Sequence, residues 1–431
     1  NLGSEYILDN LDNANELVMD ELRRTFKPEF INRIDEIIVF KSLTKDVIYE
    51  ILDKIIHDIE KRLSDKQLHI VLTDKGYVGA GFSDYKNSKF NDYADGYNKA
   101  TIFVYKNDKQ IDEISLDVGN NSYFNDIIKV SDGYVAVGSV EMTDDQSDEK
   151  LSEGVIVKYD EDFNIVWRKN VSILGKTELL QVAVDDNNDL IIVGTSVYGE
   201  GYVGNHTTGG GILLKYTMDG EEEFTVNNGG PYNGRFNDVL IEDDGYVVVG
   251  LGKSNSGVII KYDENGKKLW SSSYGYTDEK GINAISKLND NYITATTKVI
   301  DKDDLSNYQA AIVVFDENGE KLEDIKYSSD NITSFNDIAV DSEGNVFTCG
   351  YTGKLDSNNQ LVSNAIVLKY DKDLYKDSED IIKGEKSDFY TRIYLDDKEV
   401  YLLGYSNSDL NSNFNGYDYF PMVKKYNSSL K

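Results

Sequence analysis

Seven times between residues 76 and 404 the chain writes a six-residue apolar run, and six of the seven runs end in glycine. They are Gly76-Tyr-Val-Gly-Ala-Gly81, Gly133-Tyr-Val-Ala-Val-Gly138, Asp189-Leu-Ile-Ile-Val-Gly194, Gly245-Tyr-Val-Val-Val-Gly250, Asn291-Tyr-Ile-Thr-Ala-Thr296, Asn345-Val-Phe-Thr-Cys-Gly350 and Glu399-Val-Tyr-Leu-Leu-Gly404. A second run follows each after a loop of variable length, as in Val155-Ile-Val-Lys-Tyr159, Ile212-Leu-Leu-Lys-Tyr216, Val258-Ile-Ile-Lys-Tyr262 and Ile366-Val-Leu-Lys-Tyr370. A third landmark precedes the glycine run: Phe124-Asn125-Asp126, Phe236-Asn237-Asp238 and Phe335-Asn336-Asp337, with Leu180-Gln181, Ile282-Asn283 and Phe389-Tyr390 as degenerate versions. Asp-Gly and Asn-Gly turns between such runs are hairpin signals.

Each unit therefore reads as four antiparallel strands at a period of roughly 54 residues, which matches a propeller blade and excludes a helical solenoid. The predicted fold class is all-β, an about seven-bladed β-propeller of four-stranded blades over 73–431, behind a small α/β segment at 1–72. The units fall near 68–122, 123–177, 178–233, 234–279, 280–332, 333–386 and 387–431. One such sheet cannot bury both apolar faces, so Val135, Val137, Ile156 and Trp167 need a neighbouring sheet on each side. The strand-ending glycines mark either a positive φ or a close backbone approach. Unit 1 borrows its first strand from Leu68 to Thr73, and unit 7 reads without an outer strand.

The charge of −32 and three prolines against 35 glycines fit an acidic all-β chain and leave no basic excess to displace counterions from phosphate, so no nucleic acid partner is expected. No apolar run is long enough to span a bilayer. A single cysteine, Cys349, rules out an internal disulfide.

Residues 1–72 follow a different pattern. Val47, Ile48, Ile51, Leu52, Ile55, Ile56, Ile59 and Leu63 form an apolar stripe that predicts a helix over Asp46 to Leu63, and Ile37-Ile38-Val39-Phe40 reads as a short buried strand. Asn1-Leu2-Gly3-Ser4 and the run Phe26-Lys27-Pro28-Glu29-Phe30-Ile31-Asn32-Arg33-Ile34-Asp35-Glu36-Ile37-Ile38-Val39-Phe40 resemble the second AAA+ module of ClpB and ClpC type unfoldases. The resemblance implies that Asn1 sits at the sensor-1 position and that Arg33 sits where the family keeps an arginine finger. Phosphoryl transfer also needs a phosphate cradle, a lysine and a magnesium-holding carboxylate. No Gly-x-x-x-x-Gly-Lys-Ser/Thr occurs in the chain, so no cofactor is expected, ATP entering only through assembly with a complete ATPase.

The remainder resembles bacterial propeller repeats, many of them in secreted or surface-attached proteins, whereas the Clp-like segment implies the cytoplasm; localisation stays open. Such a fold assigns no chemistry. Quinone-dependent dehydrogenases share tryptophan-marked blades, but only Trp167 and Trp270 hold those positions here. His57, His69 and His206 have no metal-ligand spacing, and no metal site is expected. The acidic turns Asp160-Glu161-Asp162, Asp263-Glu264-Asn265-Gly266 and Asp316-Glu317-Asn318-Gly319 offer calcium-type oxygens, but turn chemistry is the plainer reading. The repeated polar set Asn125, Asp126, Asn237, Asp238, Asn336 and Asp337 is the candidate binding set, although strand-end turn capping is the plainer reading of it. The function expected is a non-enzymatic binding or scaffolding propeller, meeting a protein or carbohydrate through loop residues such as Tyr85, Tyr93, Tyr97, Tyr198, Tyr202 and Tyr417. The alternative is a Clp-like chaperone fragment that lends Arg33 to a neighbour's ATP site.

Overall fold

The computed structural model describes Arg24 and residues 69–430 apart from 74–75, 85–97, 107–108, 119–120, 143–150, 198–208, 229–233, 276, 302–303, 328, 330, 358–360, 385–386, 397–398 and 407–419. The chain divides into two units, Asn1–Asp65 and Lys66–Lys431, and the second carries the strands. Asn1, Arg33, the expected helix and strand of the first segment, His57, His206 and the six loop tyrosines lie outside the described residues.

The strands follow one another as antiparallel meanders. Sheet 1 is His69–Thr73, Gly76–Asp84, Asn98–Lys106 and Lys109–Ser115. Sheet 2 is Ser122–Val130, Gly133–Met142, Leu151–Tyr159 and Ile165–Val171; sheet 3 is Lys176–Val184, Leu190–Val197, Gly209–Tyr216 and Glu222–Asn227. Sheet 4 is Arg235–Glu242, Gly245–Leu251, Gly257–Tyr262 and Lys268–Tyr274, and sheet 5 is Thr277–Leu288, Asn291–Asp301, Asp304–Phe315 and Lys321–Lys326. Sheet 6 is Ile332–Val340, Val346–Leu355, Leu361–Tyr370 and Lys376–Ile382. Sheet 7 has three strands among the described residues, Asp388–Asp396, Glu399–Ser406 and Phe420–Asn427. A lone parallel pairing of Ser152 with Lys176 joins the start of the third strand of sheet 2 to the start of the first strand of sheet 3.

Alternation at period 2 sends successive residues of each middle strand to opposite neighbours. Val248 and Ile260 of sheet 4 pack on Ile191, Val193 and Leu213 of sheet 3, while Val247, Val249 and Ile259 pack on Ile282, Ala311 and Val313 of sheet 5. The same exchange fills the spaces between sheets 1 and 2, 2 and 3, 5 and 6, and 6 and 7. Val135, Val137 and Ile156 take this role between sheets 2 and 3 with Trp167 partly buried beside them. Fourth strands are the exposed edges, with alternating exposed residues in Ile165–Val171 and Lys268–Tyr274. The core is thus a series of sheet-to-sheet layers, as a propeller requires.

Tight turns repeat one device. In the turns led by Asp160, Asp185, Asp263, Asp316, Asp341 and Asp371, the leading Oδ1 accepts the backbone N–H groups two and four residues on, at 2.7 to 3.0 Å. The residue three on is left-handed: Phe163, Asn188, Gly266, Gly319, Gly344 and Leu374, with φ from 62° to 84°. The short acidic side chain supplies the turn's own acceptor, which is why these segments are rich in aspartate.

One turn also anchors a buried ion cluster. Lys215 Nζ lies 3.0 Å from Asp185, 3.1 Å from Asp189 and 3.4 Å from Glu223, and Tyr246 of sheet 4 donates to Asp185 at 3.1 Å. Burial works against the lysine charge, yet the hydrogen bonds to Asp185 and Asp189 hold its pKa above the ordinary range. Removing one partner strands the others, so Lys215→Met is expected to destabilise by about 3 kcal/mol in urea unfolding. A change below about 1 kcal/mol would mean that the cluster is solvated like a surface pair.

Candidate functional site

The Phe-Asn-Asp landmark sits on a β-bulge. In the first strand of sheets 2, 4 and 6 the register slips between Phe124 and Asp126, Phe236 and Asp238, and Phe335 and Asp337, leaving the asparagine as the extra residue. A bulge re-aims side chains, and here both the asparagine and the aspartate reach the next sheet. Asn125 Nδ2 donates to Leu179 O at 2.7 Å, Asn237 to Ile282 O at 2.8 Å and Asn336 to Tyr390 O at 2.7 Å. Each carboxylate bridges two sheets. Asp126 accepts from Ile127 N and Val182 N, both at 2.8 Å. Asp238 accepts from Val239 N at 2.9 Å and Ile285 N at 2.8 Å, and Asp337 from Ile338 N and Ile393 N, both at 2.8 Å.

Sheets 3 and 5 keep one stitch each: Gln181 Oε1 accepts Val239 N at 3.0 Å, and Asn283 Nδ2 donates to Phe335 O at 2.6 Å. Bulges at the same height, Val193/Gly194 against the sheet 3 strand and Tyr390/Arg392 in sheet 7, fix the correspondence. The residues opposite the terminal glycines are Leu179 and Tyr390, so the degenerate motifs read Leu179-Leu180-Gln181 and Tyr390-Thr391-Arg392, each starting one residue away from the sequence reading of Leu180 and Phe389. Arg392 at the aspartate position went unnoticed in the sequence because no phenylalanine or asparagine announces it.

The bulge also explains the glycines. Gly138, Gly194, Gly250, Gly350 and Gly404 face it, and a Cβ there would lie 1.8 to 2.1 Å from the carbonyl oxygens of Tyr123, Glu178, Arg235, Ser334 and Phe389. None of the five has a positive φ. Of the two reasons for glycine, close approach is the one that operates.

The belt brings together charges from distant parts of the sequence. Burial pushes the carboxyl of Asp238 up to about 7; the Arg392 charge opposes the rise and Asp337 adds to it. Burial raises Asp337 as well, against the pull of Arg392 and with a push from Asp126. Charged side chains from the first strands of sheets 2, 4, 6 and 7 therefore act on one another.

A carboxyl whose folded pKa lies above its unfolded value near 3.8 stabilises fully below that value, and the contribution is lost as pH rises through about 7. Unfolding in urea at pH 5 and at pH 8 is expected to show the wild type less stable at pH 8. Asp238→Asn is expected to shrink the difference. An unchanged difference in the variant would remove Asp238 as its source.

Among the described residues no group of three or more His, Cys, Asp or Glu side chains is placed to hold a metal ion. Cys349 is buried, and burial pushes its thiol well above the usual range. No helix among the described residues is long and apolar enough to cross a membrane.

The N-terminal part is 45% identical over 92 residues to the chaperone protein ClpB of Bacillus cereus, covering 19% of this chain and 11% of that protein. It is 42% identical over 73 residues to the ATP-dependent Clp protease ATP-binding subunit ClpC of Staphylococcus epidermidis, covering 17% and 8%. The chain thus spans about a tenth of the length of these relatives. Among solved structures, Sqt1 from Chaetomium thermophilum aligns over 79% of this chain and 94% of its own at 10% identity and a TM-score of 0.44, and the Dos1 propeller over 78% and 89% at 11% and 0.41. Residues 328–354 match the family described as Beta-propeller repeat, and that stretch holds the Phe335-Asn336-Asp337 bulge together with its partner Gly350.

Proposed function

We propose that the chain is a non-enzymatic binding or scaffolding β-propeller of seven blades, joined to an ATPase remnant without Walker motifs, and that its ligand is a protein or carbohydrate met by the loop face. One observation carries the reading: the recurrent asparagine and aspartate side chains are committed to joining neighbouring sheets, so the repeat's polar chemistry serves the scaffold. Recognition then falls to the variable loops between second and third strands, the usual place for it on a rigid frame. The chain panned on a peptide library and a glycan array is expected to bind one class saturably, and to lose that binding when 198–208 is replaced by a Gly-Ser linker. Chemical conversion of the ligand, or binding indifferent to every such loop, would contradict the reading.

The ClpB similarity favours a second reading, in which Arg33 completes a neighbouring subunit's nucleotide site. Adding the chain to a ClpB-type ATPase is then expected to change ATP turnover, and Arg33→Ala to abolish the change. Turnover identical with wild type and variant would rule it out.

A further inference from the structure

Sheet 7 differs from the others at its third strand. In sheets 2, 3, 4 and 6 the lysine before the third-strand tyrosine is covered: the side chains of Lys158, Lys215, Lys261 and Lys369 are 5%, 6%, 12% and 13% exposed, whereas that of Lys425 is 51% exposed. One residue earlier, Lys424 is exposed where Val157, Leu214, Val313 and Leu368 are fully buried. Val423 is half-buried where Ile156, Leu213, Ile259, Ile312 and Val367 are fully buried. In sheets 2 to 6 a fourth strand lies beside these residues, and among the described residues no strand pairs with the outer edge of Phe420–Asn427.

The register identifies the backbone groups on that edge. Pro421 faces Tyr405 as Ala100, Gly211 and Ala310 face Phe82, Thr195 and Thr297. In sheets 1, 3 and 5 the carbonyl at this position accepts the N–H of the residue after the fourth strand, Leu116, Asn228 or Tyr327, at 2.7 to 2.9 Å. Alternation along an antiparallel strand then turns the N–H and C=O of Val423 and Lys425 outward together with the Pro421 carbonyl. The missing N–H of Pro421 falls on the same side, so the proline takes no hydrogen bond from the ladder to Glu399–Ser406.

Charge selects what fits there. Fourth strands elsewhere bring carboxylates to the third-strand lysine, Glu223 at 3.4 Å from Lys215 and Asp377 at 3.7 Å from Lys369. The fourth strand of sheet 6 also sets Glu379 opposite Leu368, whose place in sheet 7 belongs to Lys424. An apolar strand would desolvate Lys424 and Lys425 without pairing them, and the same edge of a second copy would set lysines beside lysines. We propose that the outer edge of Phe420–Asn427 takes an extended acidic segment of a partner polypeptide as an antiparallel fourth strand. Its main chain bonds to Val423 and Lys425, and its carboxylates meet Lys424 and Lys425. With a net charge of −32 the remaining surface repels such a segment, which confines it to this edge. The edge is not one of the variable loops, so this surface goes beyond the loop-face reading and stands or falls separately from it.

The test uses the full chain and, as probe, an acetylated and amidated peptide with the sequence of Lys376–Ile382, read by amide hydrogen exchange at Val423 and Lys425. Rapid exchange of both amides is expected in the free chain and slow exchange with saturating peptide. A peptide carrying Asp377→Asn and Glu379→Gln is expected to bind about tenfold more weakly, and Lys425→Gln in the chain to weaken the parent peptide about threefold, as for partly exposed ion pairs. Val423→Pro removes one outward N–H and is expected to abolish the protection of Lys425. Slow exchange in the free chain would mean that the edge is already paired and would overturn the proposal. So would unchanged exchange with peptide, or equal affinity for the neutral peptide. Failure here leaves loop-dependent binding untouched, and loss of loop-dependent binding leaves this edge standing.

Discussion

Asp337→Ala is expected to destabilise the fold by about 3 kcal/mol at neutral pH, because it orphans two backbone donors in different sheets, the buried Ile338 N and the partly buried Ile393 N. The desolvated charge that leaves with the carboxylate offsets part of the loss. That offset shrinks in acid: burial raises the Asp337 pKa, so lowering the pH protonates the wild-type group and relieves its penalty while the alanine variant gains nothing. The gap between the two proteins in urea midpoint should therefore widen as the pH is lowered from neutrality. Asp337→Asn keeps one acceptor and turns an N–H group toward the other donor, so it is expected to fall between wild type and alanine. A midpoint shift within the scatter of surface substitutions would show that water reaches these amides.

Gly350→Ala is expected to be the more damaging change, about 4 kcal/mol or failure to fold. Its Cβ would stand 1.9 Å from Ser334 O and 2.9 Å from Ser334 C. Both are backbone atoms held in a strand, so no rotamer change relieves the contact. Sheet 5 provides the control. It carries Thr296 at the corresponding place, and the Thr296 hydroxyl donates to Gly281 O at 3.0 Å, where Gly281 has φ of 82°. The strand opposite has changed to make room. Thr296→Gly is accordingly expected to cost under about 1.5 kcal/mol, the value of one hydrogen bond. Equal effects at Gly350 and Thr296, measured by thermal unfolding, would contradict a glycine requirement set by the bulge.

Much of the architecture is written in the sequence because a sheet packed on both faces needs unbroken apolar runs. Gly245-Tyr-Val-Val-Val-Gly250 and Val258-Ile-Ile-Lys-Tyr262 are such runs, and they are the middle strands of sheet 4. The turns were legible for a related reason: Asp316-Glu317-Asn318-Gly319 contains both its own acceptor and its left-handed residue. The role of Phe-Asn-Asp was not legible. A bulge shifts register by one residue without altering composition, so the sequence shows a recurrent polar pair but not that the pair crosses to the next sheet. Gln181 and Arg392 occupy aspartate positions without resembling aspartate, and only the strand register identifies them.

The central claim is that these side chains join consecutive sheets, from sheet 2 through sheet 7, to one another. Native-state hydrogen exchange at the backbone amides of Val182, Ile285 and Ile393 tests it most directly, each being the far end of a stitch from the preceding motif. The account predicts strong protection of all three in the wild type and selective loss at Val182 in Asp126→Ala, at Ile285 in Asp238→Ala and at Ile393 in Asp337→Ala. Rapid exchange in the wild type, or protection at all three amides that survives removal of the carboxylates, would contradict it.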